Sequence, residues 1–575
     1  MKIADKGISR RRFLAGTAGS GLVMGLGAVL PGFSAEAAAA EMAADGKTDM
    51  FSPVVWFDMS PAGDVTVNIA KAEMGQHVGT ALARIVADEL GADWSRVSLR
   101  HVDSDPKWGY MVTGGSWSVV NSFDMLSRAG AAGRTVLVDA ASGLLDVPAS
   151  TLTAREGVVA GGGKSISFGE IVRRGDVSRS FSDAELEALP IKAAKDRDLI
   201  GGEADALDVP PKSKGEAVYG LDAELPGMVY AHPVMPPTRY GSRITAVDDS
   251  AAQDVPGYLQ TVTIEDPAGF VEGMALVIAE TFPAALEASE AIKVEWEPGK
   301  TADVSEADIF AEGERLVGEP DSGTLFVDAG DTGAAREAAA EELSATYRTG
   351  TVLHFTLEPQ NALVEFRDGQ CHVHGGNQWQ SLIIPTLAKS LDMAEEDIHL
   401  HTYFLGGGFG RRLFGDQMIP AAHAARQLGR PVKLVLSRPA DSRFDCVRSP
   451  SVSRLTAAFD EGGQLTAIDH AAAAGWPTLS MAPGFLGDGV DGEGRFDSFS
   501  ISGADHWYAV PSHRVRAINN GLAQDTFLPG WLRAVGPGWI AWSVESFMDE
   551  IAAKLGVDPL ELRLSLLDGE GRHAG

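Results

Sequence analysis

The sequence predicts a multidomain α+β protein, and three observations lead there. The chain has 575 residues, more than one hydrophobic core organises, so several domains are expected. Hydrophobic residues make up 45% and charged residues 22%, an ordinary globular balance. Segments with strand periodicity and segments with helical periodicity are mixed within each block of the chain.

The first block runs from about 50 to 205. "VVWFDMSPAGDVTVNIAKAEMGQ" reads as two strands around a Pro-Ala-Gly-Asp turn. "TALARIVADELGADWSRV" has helical spacing and reaches Gly91 as a stop, after which "VSLRHVDSD" returns as a strand. An Ala-rich helix follows, roughly Ser122 to Leu145. The Pro- and Gly-rich stretch "ALDVPPKSKGEAVYGLDAELPGMVYAHPVMPP" opens a second block, 209–300. It has strands in "MVYAHPV", "LQTVTI", "GMALVIAE" and "IKVEWEP", and a helix near Phe282 to Ala291. The stretch 300–340 is acidic and turn-rich and reads as a surface connection. A third block, 341–575, begins near "LSATYRTGTVLHFTLEPQNALVEF".

The N-terminus has the order of an export signal. Arg10, Arg11 and Arg12 precede a weakly apolar, Gly-rich stretch from Phe13 to Leu30, and Ala-x-Ala sites follow at Ala35–Ala37 and Ala37–Ala39. Ser9-Arg10-Arg11-Arg12-Phe13-Leu14 matches the twin-arginine pattern. Residues 1–40 are therefore expected to be a twin-arginine signal peptide, and the protein to work in the periplasm. The apolar stretch is too short and glycine-rich for an integral membrane span.

A net charge of −31 repels nucleic-acid phosphates and anionic lipid, so no nucleic-acid partner is expected. Two cysteines, Cys371 and Cys446, exclude a disulfide framework, a four-thiolate zinc site and a self-contained iron–sulfur cluster. If the protein handles electrons, another group or subunit must carry them. Both thiols read as small buried hydrophobes.

The stretch "FLGGGFGRRL" is the densest chemical signal. Gly406, Gly407, Gly408 and Gly410 surround Phe409, and Arg411 and Arg412 follow. "IHLHTYFL" before it reads as a strand. "GDQMIPAAHAARQLGR" after it reads as a helix with Asp416 in its first turn and Gly429 as its stop. Glycines at such a strand-to-helix turn let backbone N–H groups approach an anionic or oxo ligand. A Walker loop is excluded because Asp416 and Gln417 stand at its Lys and Ser/Thr positions. A dinucleotide fingerprint is excluded because Arg411 stands at its third glycine. The competing reading is a tight turn packed under its own phenylalanine.

"GGGFGRR" resembles the glycine loop of the molybdenum hydroxylases, the xanthine dehydrogenase/aldehyde oxidase family. The flanking blocks resemble its exported branch, the large subunits of isoquinoline 1-oxidoreductase type and related periplasmic aldehyde dehydrogenases. The segments Lys71–Trp94, Thr113–Arg134, Gly215–Val234, His354–Phe366, Gly375–Ser381 and Leu532–Leu567 follow in the family's order. The resemblance implies a multidomain molybdopterin-binding fold with an inserted hammerhead-like α/β domain at 209–300. On this reading 50–205 is the N-terminal part of the second molybdopterin-binding domain and 341–575 is the first.

It further implies molybdopterin, in its cytosine dinucleotide form, holding molybdenum through its dithiolene with no side-chain metal ligand. Backbone around Gly407, Gly408, Phe409 and Gly410 would face the metal's oxo ligands and the pterin. Arg411 would either add charge near the pyrophosphate or lock the loop. Gln378 matches a family glutamine whose neutral amide donates to an oxo ligand. Gly75, Gln76 and His77 match a cofactor loop usually read Gly-Gln-Gly. His77 departs from it, which leaves the backbone geometry there open. Gly114, Gly115, Ser116 and Ser118 resemble a dinucleotide-binding turn, with Trp117 packing or bordering substrate. Arg533 and Ala534 match a further pterin-side segment. His354 and Glu358 read as structural or pocket-lining.

The implied activity is hydroxylation of an aldehyde or N-heterocyclic carbon, with water as oxygen source. Electrons would leave through a small [2Fe-2S] subunit, with a cytochrome as a further acceptor. The family's general-base glutamate lies beyond the "DPLELRL" helix, and none is found before Gly575. The expectation is that this chain alone is inactive. The alternative is a truncated remnant or scaffold of the same family.

Overall fold

The computed structural model describes residues 51–567, so the expected signal peptide lies outside the described residues. The described residues fall into two compact units. One comprises 303–353 and 446–567, and the other comprises 51–302 and 354–445.

The larger unit contains two principal sheets. The first orders Phe51–Val54, Phe57–Met59, Val65–Ile69 and Val97–His101, with the last two parallel. Two helices cover it. Val78–Leu90 ends at Gly91 in the left-handed conformation (φ 77°), and Phe123–Leu145 packs beside it. Gly130 and Gly133 permit that approach: a Cβ on Gly130 would sit 2.7 Å from the Glu89 Cβ, and one on Gly133 2.6 Å from the Phe57 ring. The second sheet has seven strands in the order Tyr258–Thr263, Ala275–Ala279, Val229–Val234, Val432–Val435, Asn361–Arg367, Gln370–Gly375 and Ile398–Thr402. Its central strands are largely buried, Val432–Val435 throughout, Lys433 included.

Strands of 209–300 and of 361–435 thus share one sheet, joined by the parallel pair Val229–Ala231 and Val432–Leu434. The pairing crosses the sequence boundaries drawn at 300 and 341. Turn signals and composition do not report which distant strands pair.

The smaller unit is built on a five-stranded sheet ordered Thr324–Ala329, Ser512–Asn519, Leu465–Ala474, Ser451–Phe459 and Glu341–Thr349. Helix Ile540–Leu555 buries Ile540, Val544, Phe547, Met548 and Ile551 against this core. The expected surface connection at 300–340 is largely ordered secondary structure. Helix Glu306–Gly318 starts on a Ser305/Asp308 capping box, and Thr324–Ala329 is an edge strand. Its acidic residues include helix-start groups, Glu306 and Asp308, that favour the N-terminal turn.

Candidate functional site

Three loops of the larger unit converge, and each carries residues singled out in the sequence. They are 73–78, 113–116 and 406–412, with Gln378 between them.

Gln378 is buried and joins two of them. Its main-chain carbonyl accepts from Thr113 N–H (2.7 Å), and its main-chain N–H donates to the Arg412 carbonyl (2.8 Å). Its side-chain Nε2 donates to the Thr113 carbonyl at 3.0 Å, and its Oε1 accepts from Gly410 N–H at 3.2 Å. The third loop closes on the same point. Leu405 N–H donates to the Glu73 carbonyl (2.9 Å), and a Cβ on Gly408 would lie 2.6 Å from both Gln378 Oε1 and Met74 Sδ.

The glycine loop has a contorted backbone. Gly407, Phe409 and Gly410 have φ of 96°, 57° and 107°, and Phe409 is an uncommon residue there. Gly115 and Ser116 both have φ 59°, Gly75 has φ 107° and His77 φ 58°. Such turns direct consecutive N–H groups into anion-binding concavities. The N–H groups of Gly407, Gly408, Gly114, Gly115 and Ser116 have no protein acceptor among the described residues. The arrangement fits an anionic, oxygen-rich cofactor: backbone donors without a protein acceptor among the described residues, and glycines where a side chain would intrude.

The arginines beside the loop turn inward. Arg411 is 1% exposed and meets Asp416 Oδ1 at 2.7 Å and Asp445 Oδ1 at 3.0 Å. Of the two roles open to it, the structure assigns the lock. Burial alone would raise the Asp416 carboxyl, but the guanidinium groups of Arg411 and Arg239 outweigh it and hold Asp416 below the usual carboxylate range. Asp416 precedes the next helix rather than standing in its first turn. That helix is Met418–Leu428 with Gln417 as N-cap, and the glycines lie well before it rather than at its start. Arg412 is fully buried, donates to the Gly407 carbonyl (3.0 Å) and meets Glu358 Oε2 at 3.0 Å.

Glu358 serves this scaffold. Its carboxylate accepts from Leu221 N–H (2.9 Å), Asn361 Nδ2 (2.9 Å), Gly406 N–H (2.8 Å) and Arg412. His354 is held by Asp445, through Nδ1 at 3.0 Å and main-chain N–H at 2.7 Å. Of the structural and pocket-lining readings, these contacts fit the structural one. Trp117 packs back over Gly115, whose added Cβ would meet the indole at 2.5 Å.

The loop 73–78 was only partly legible. Gln76 folds onto its own backbone: Oε1 accepts from Met74 N–H (2.7 Å) and Nε2 donates to the Ala72 carbonyl (2.9 Å). His77 takes the left-handed conformation that the usual glycine would provide, and its Nδ1 lies 2.9 Å from Asp208 Oδ2. Sequence reasoning missed Glu73, Asp208 and Lys212. The buried Glu73 carboxylate accepts from the N–H groups of Gly75 (2.8 Å), His77 (3.2 Å) and Val78 (2.9 Å). Lys212 bonds both Glu73 (2.8 Å) and Asp208. Burial opposes ionisation of Asp208, but hydrogen bonds from Lys212 and His77 outweigh it and bring its pKa to about 2. The ammonium fills the place a cation would take among Glu73, His77 and Asp208. Asp208 and Lys212 stand i,i+4, but nothing in the sequence ties them to residue 73.

Arg533 and Ala534 belong to the smaller unit, where Ala534 has φ 58° and the Arg533 carbonyl accepts from Arg448. Cys371 and Cys446 are buried and free of disulfides, and burial pushes the Cys371 thiol up to about 12.

Comparison with known proteins identifies the family. Two family models, each described as a molybdopterin cofactor-binding domain, match residues 318–566 and 9–193. The membrane-bound aldehyde dehydrogenase [pyrroloquinoline-quinone] of Gluconacetobacter polyoxogenes is 48% identical, over 99% of this chain and 73% of its own length. The beta subunit of isoquinoline 1-oxidoreductase from Brevundimonas diminuta is 29% identical over 99% of this chain and 76% of its own length. A Cu,Mo-CO dehydrogenase structure shares the fold, with TM-score 0.50, 18% identity, 64% of this chain and 50% of that one covered. The chain spans about half the length of that solved structure, and 41% of a nicotinate dehydrogenase chain of Pseudomonas putida. These matches define a molybdopterin-binding oxidoreductase. The chain belongs to the molybdenum hydroxylase family, as a large subunit of the isoquinoline 1-oxidoreductase and aldehyde dehydrogenase branch.

Proposed function

We propose that this chain binds molybdopterin, in its cytosine dinucleotide form, and serves the oxidation of an aldehyde with water as oxygen source. The observation that carries the reading is the convergence of loops 73–78, 113–116 and 406–410 on Gly408, with five backbone N–H groups lacking a protein acceptor among the described residues. The aldehyde is favoured over an N-heterocyclic carbon because the 48% identical relative is named an aldehyde dehydrogenase.

When bound, the cofactor supplies the two-electron redox chemistry. The chain's own residues orient it. Gly407 and Gly408 would offer backbone N–H groups to the cofactor. The second N–H of the Gln378 amide is directed by the two bonds that fix its plane. Gly114, Gly115 and Ser116 offer N–H groups to the phosphate-bearing end. Glu358, Arg411 and Arg412 hold the loop through buried ion pairs. Phe409, 40% exposed at the tip of the glycine loop, would border the bound cofactor.

The rest of the reading concerns setting. The electrons pass to a [2Fe-2S] partner subunit, with a cytochrome as a further acceptor, since two buried thiols cannot hold a cluster. The protein acts in the periplasm after twin-arginine export. Among the described residues no helix is long and apolar enough to cross a membrane. Pyrroloquinoline quinone, in the relative's name, is the rival cofactor; the two matched domain descriptions favour molybdopterin. Metal and cofactor analysis of the purified chain tests the choice. Molybdenum with pterin supports the proposal, and quinone without either overturns it.

A further inference from the structure

Away from the cofactor loops, four histidines share one face of two parallel strands. Gln370–Gly375 pairs with Ile398–Thr402, the sheet edge, in a register that sets His372 opposite His399 and His374 opposite His401. Alternate residues of a strand point to the same side, so all four rings lie together. They stack, with centroids 5.1 Å apart for His372 and His399, 5.3 Å for His372 and His401, and 4.3 Å for His374 and His401.

One of these rings, His401, is oriented as a ligand, and His372 adjoins it. Asp103 Oδ2 lies 2.8 Å from His401 Nδ1. A carboxylate only accepts, so Nδ1 carries the proton and the lone pair of the neutral ring is on Nε2. That Nε2 lies 3.1 Å from His372 Nδ1. Two nitrogens bound to one tetrahedral ion at about 2.0–2.1 Å stand about 3.3 Å apart, so the pair is already at ligand spacing. Asp103 is fixed in turn: its Oδ1 accepts from Thr402 N–H at 2.8 Å, and Ser104 pairs with Leu400 through N–H (2.9 Å) and Oγ (2.8 Å). A carboxylate orienting the distal nitrogen of a histidine is the usual outer support of a metal-binding imidazole. The Nε2 atoms of His374 and His399 are buried without a partner among the described residues, and His374 Nδ1 lies 3.2 Å from the Tyr403 hydroxyl.

We infer that His372 and His401 form a binding site for a divalent transition-metal ion of the imidazole-preferring class, Cu2+, Zn2+ or Ni2+, with Asp103 as the outer carboxylate. The ion replaces the hydrogen bond between the two rings, His372 moves its proton to Nε2, and water completes the coordination at the half-exposed His401. Arg367, an exposed side chain paired with Glu365, has its Nη2 3.4 Å from His372 Nε2 and leaves that nitrogen as the proton arrives. The ion would fasten the 102–104 segment, which leads to the Thr113 loop, onto the sheet edge.

The test is a Cu2+ titration of the full chain, followed by electron paramagnetic resonance and calorimetry, with Zn2+ as competitor. The expected spectrum shows hyperfine coupling to two imidazole nitrogens at one equivalent. The double variant His372→Ala/His401→Ala should bind at least a hundredfold more weakly. Asp103→Asn should bind about 10–100-fold more weakly, and His374→Ala should bind as wild type. Unchanged affinity in the double variant overturns the inference. If that variant does not fold, the wild-type spectrum decides, and the absence of two-nitrogen coupling overturns it equally.

Discussion

Loops 73–78 and 406–412 solve the same problem with opposite charges. Both hold strained backbone toward one point. In the glycine loop the charged side chains are arginines, and both are buried against carboxylates, Arg411 on Asp416 and Asp445, Arg412 on Glu358. In the other the charge is a carboxylate, Glu73, turned inward onto three N–H groups and Lys212. In neither loop does the neighbouring charge face the ligand side. The difference lies in what occupies the left-handed positions. One loop has mostly glycine, and the other has His77, held by Asp208. Charges beside a ligand loop therefore need not be ligands. Here they fix the backbone that is.

The largest test of this division is Arg412→Leu. It strands the buried Glu358 carboxylate, and removing one partner of a buried pair costs about 3–5 kcal/mol. Denaturant melts should show that loss. A stability unchanged from wild type, with only cofactor binding reduced, would return Arg412 to the ligand. Gly406→Ala comes next. Its Cβ would sit 2.4 Å from Glu358 Cβ and 3.2 Å from the Glu358 nitrogen, where nothing yields easily. Overpacking of this kind costs about 1–3 kcal/mol. Gly408→Ala should differ in kind. Its Cβ meets the ends of two flexible side chains, Gln378 and Met74. Stability should fall by less than about 1.5 kcal/mol, the cost of displacing a rotamer, while cofactor occupancy falls.

Acid sharpens the other loop. The folded pKa of Asp208, about 2, lies below its ordinary value of 3.8. Its stabilising contribution is complete above about pH 4 and is lost as pH falls from there through 2. Denaturation midpoints of wild type between pH 5 and 2.5 should drop more steeply than those of Asp208→Asn. Parallel curves would contradict the ionised cluster. The smallest effect is expected for His77→Gly, which relieves the left-handed strain and loses the Asp208 bond. The two nearly offset, leaving a change within about 1 kcal/mol.

Local structure was legible wherever one segment carried its own signal. Gly91 stops the Val78–Leu90 helix, and the alternating run 398–402 is a strand. The resemblance gathered Gly75, Gly114, Gln378 and Gly408 before any geometry, and the three loops do meet. What stayed hidden depended on distant partners. Asp416 looked like a helix-start residue because spacing alone suggested it, yet two arginines draw its carboxylate away. Asp208 and Lys212 reach Glu73 across a long stretch of chain. The four histidines at 372, 374, 399 and 401 alternate plainly in sequence, but only the strand register brings the two pairs together.

The central claim is that the backbone around Gly408 forms the wall of a molybdopterin site. It is tested most directly by molybdenum and pterin analysis of wild type and Gly408→Ala, purified from a host that makes the cofactor. Wild type should carry molybdenum and pterin in equimolar amounts, and the variant should keep its melting temperature within a few degrees while losing most of both. Equal molybdenum in the two proteins, or none in a well-folded wild type, would contradict the account.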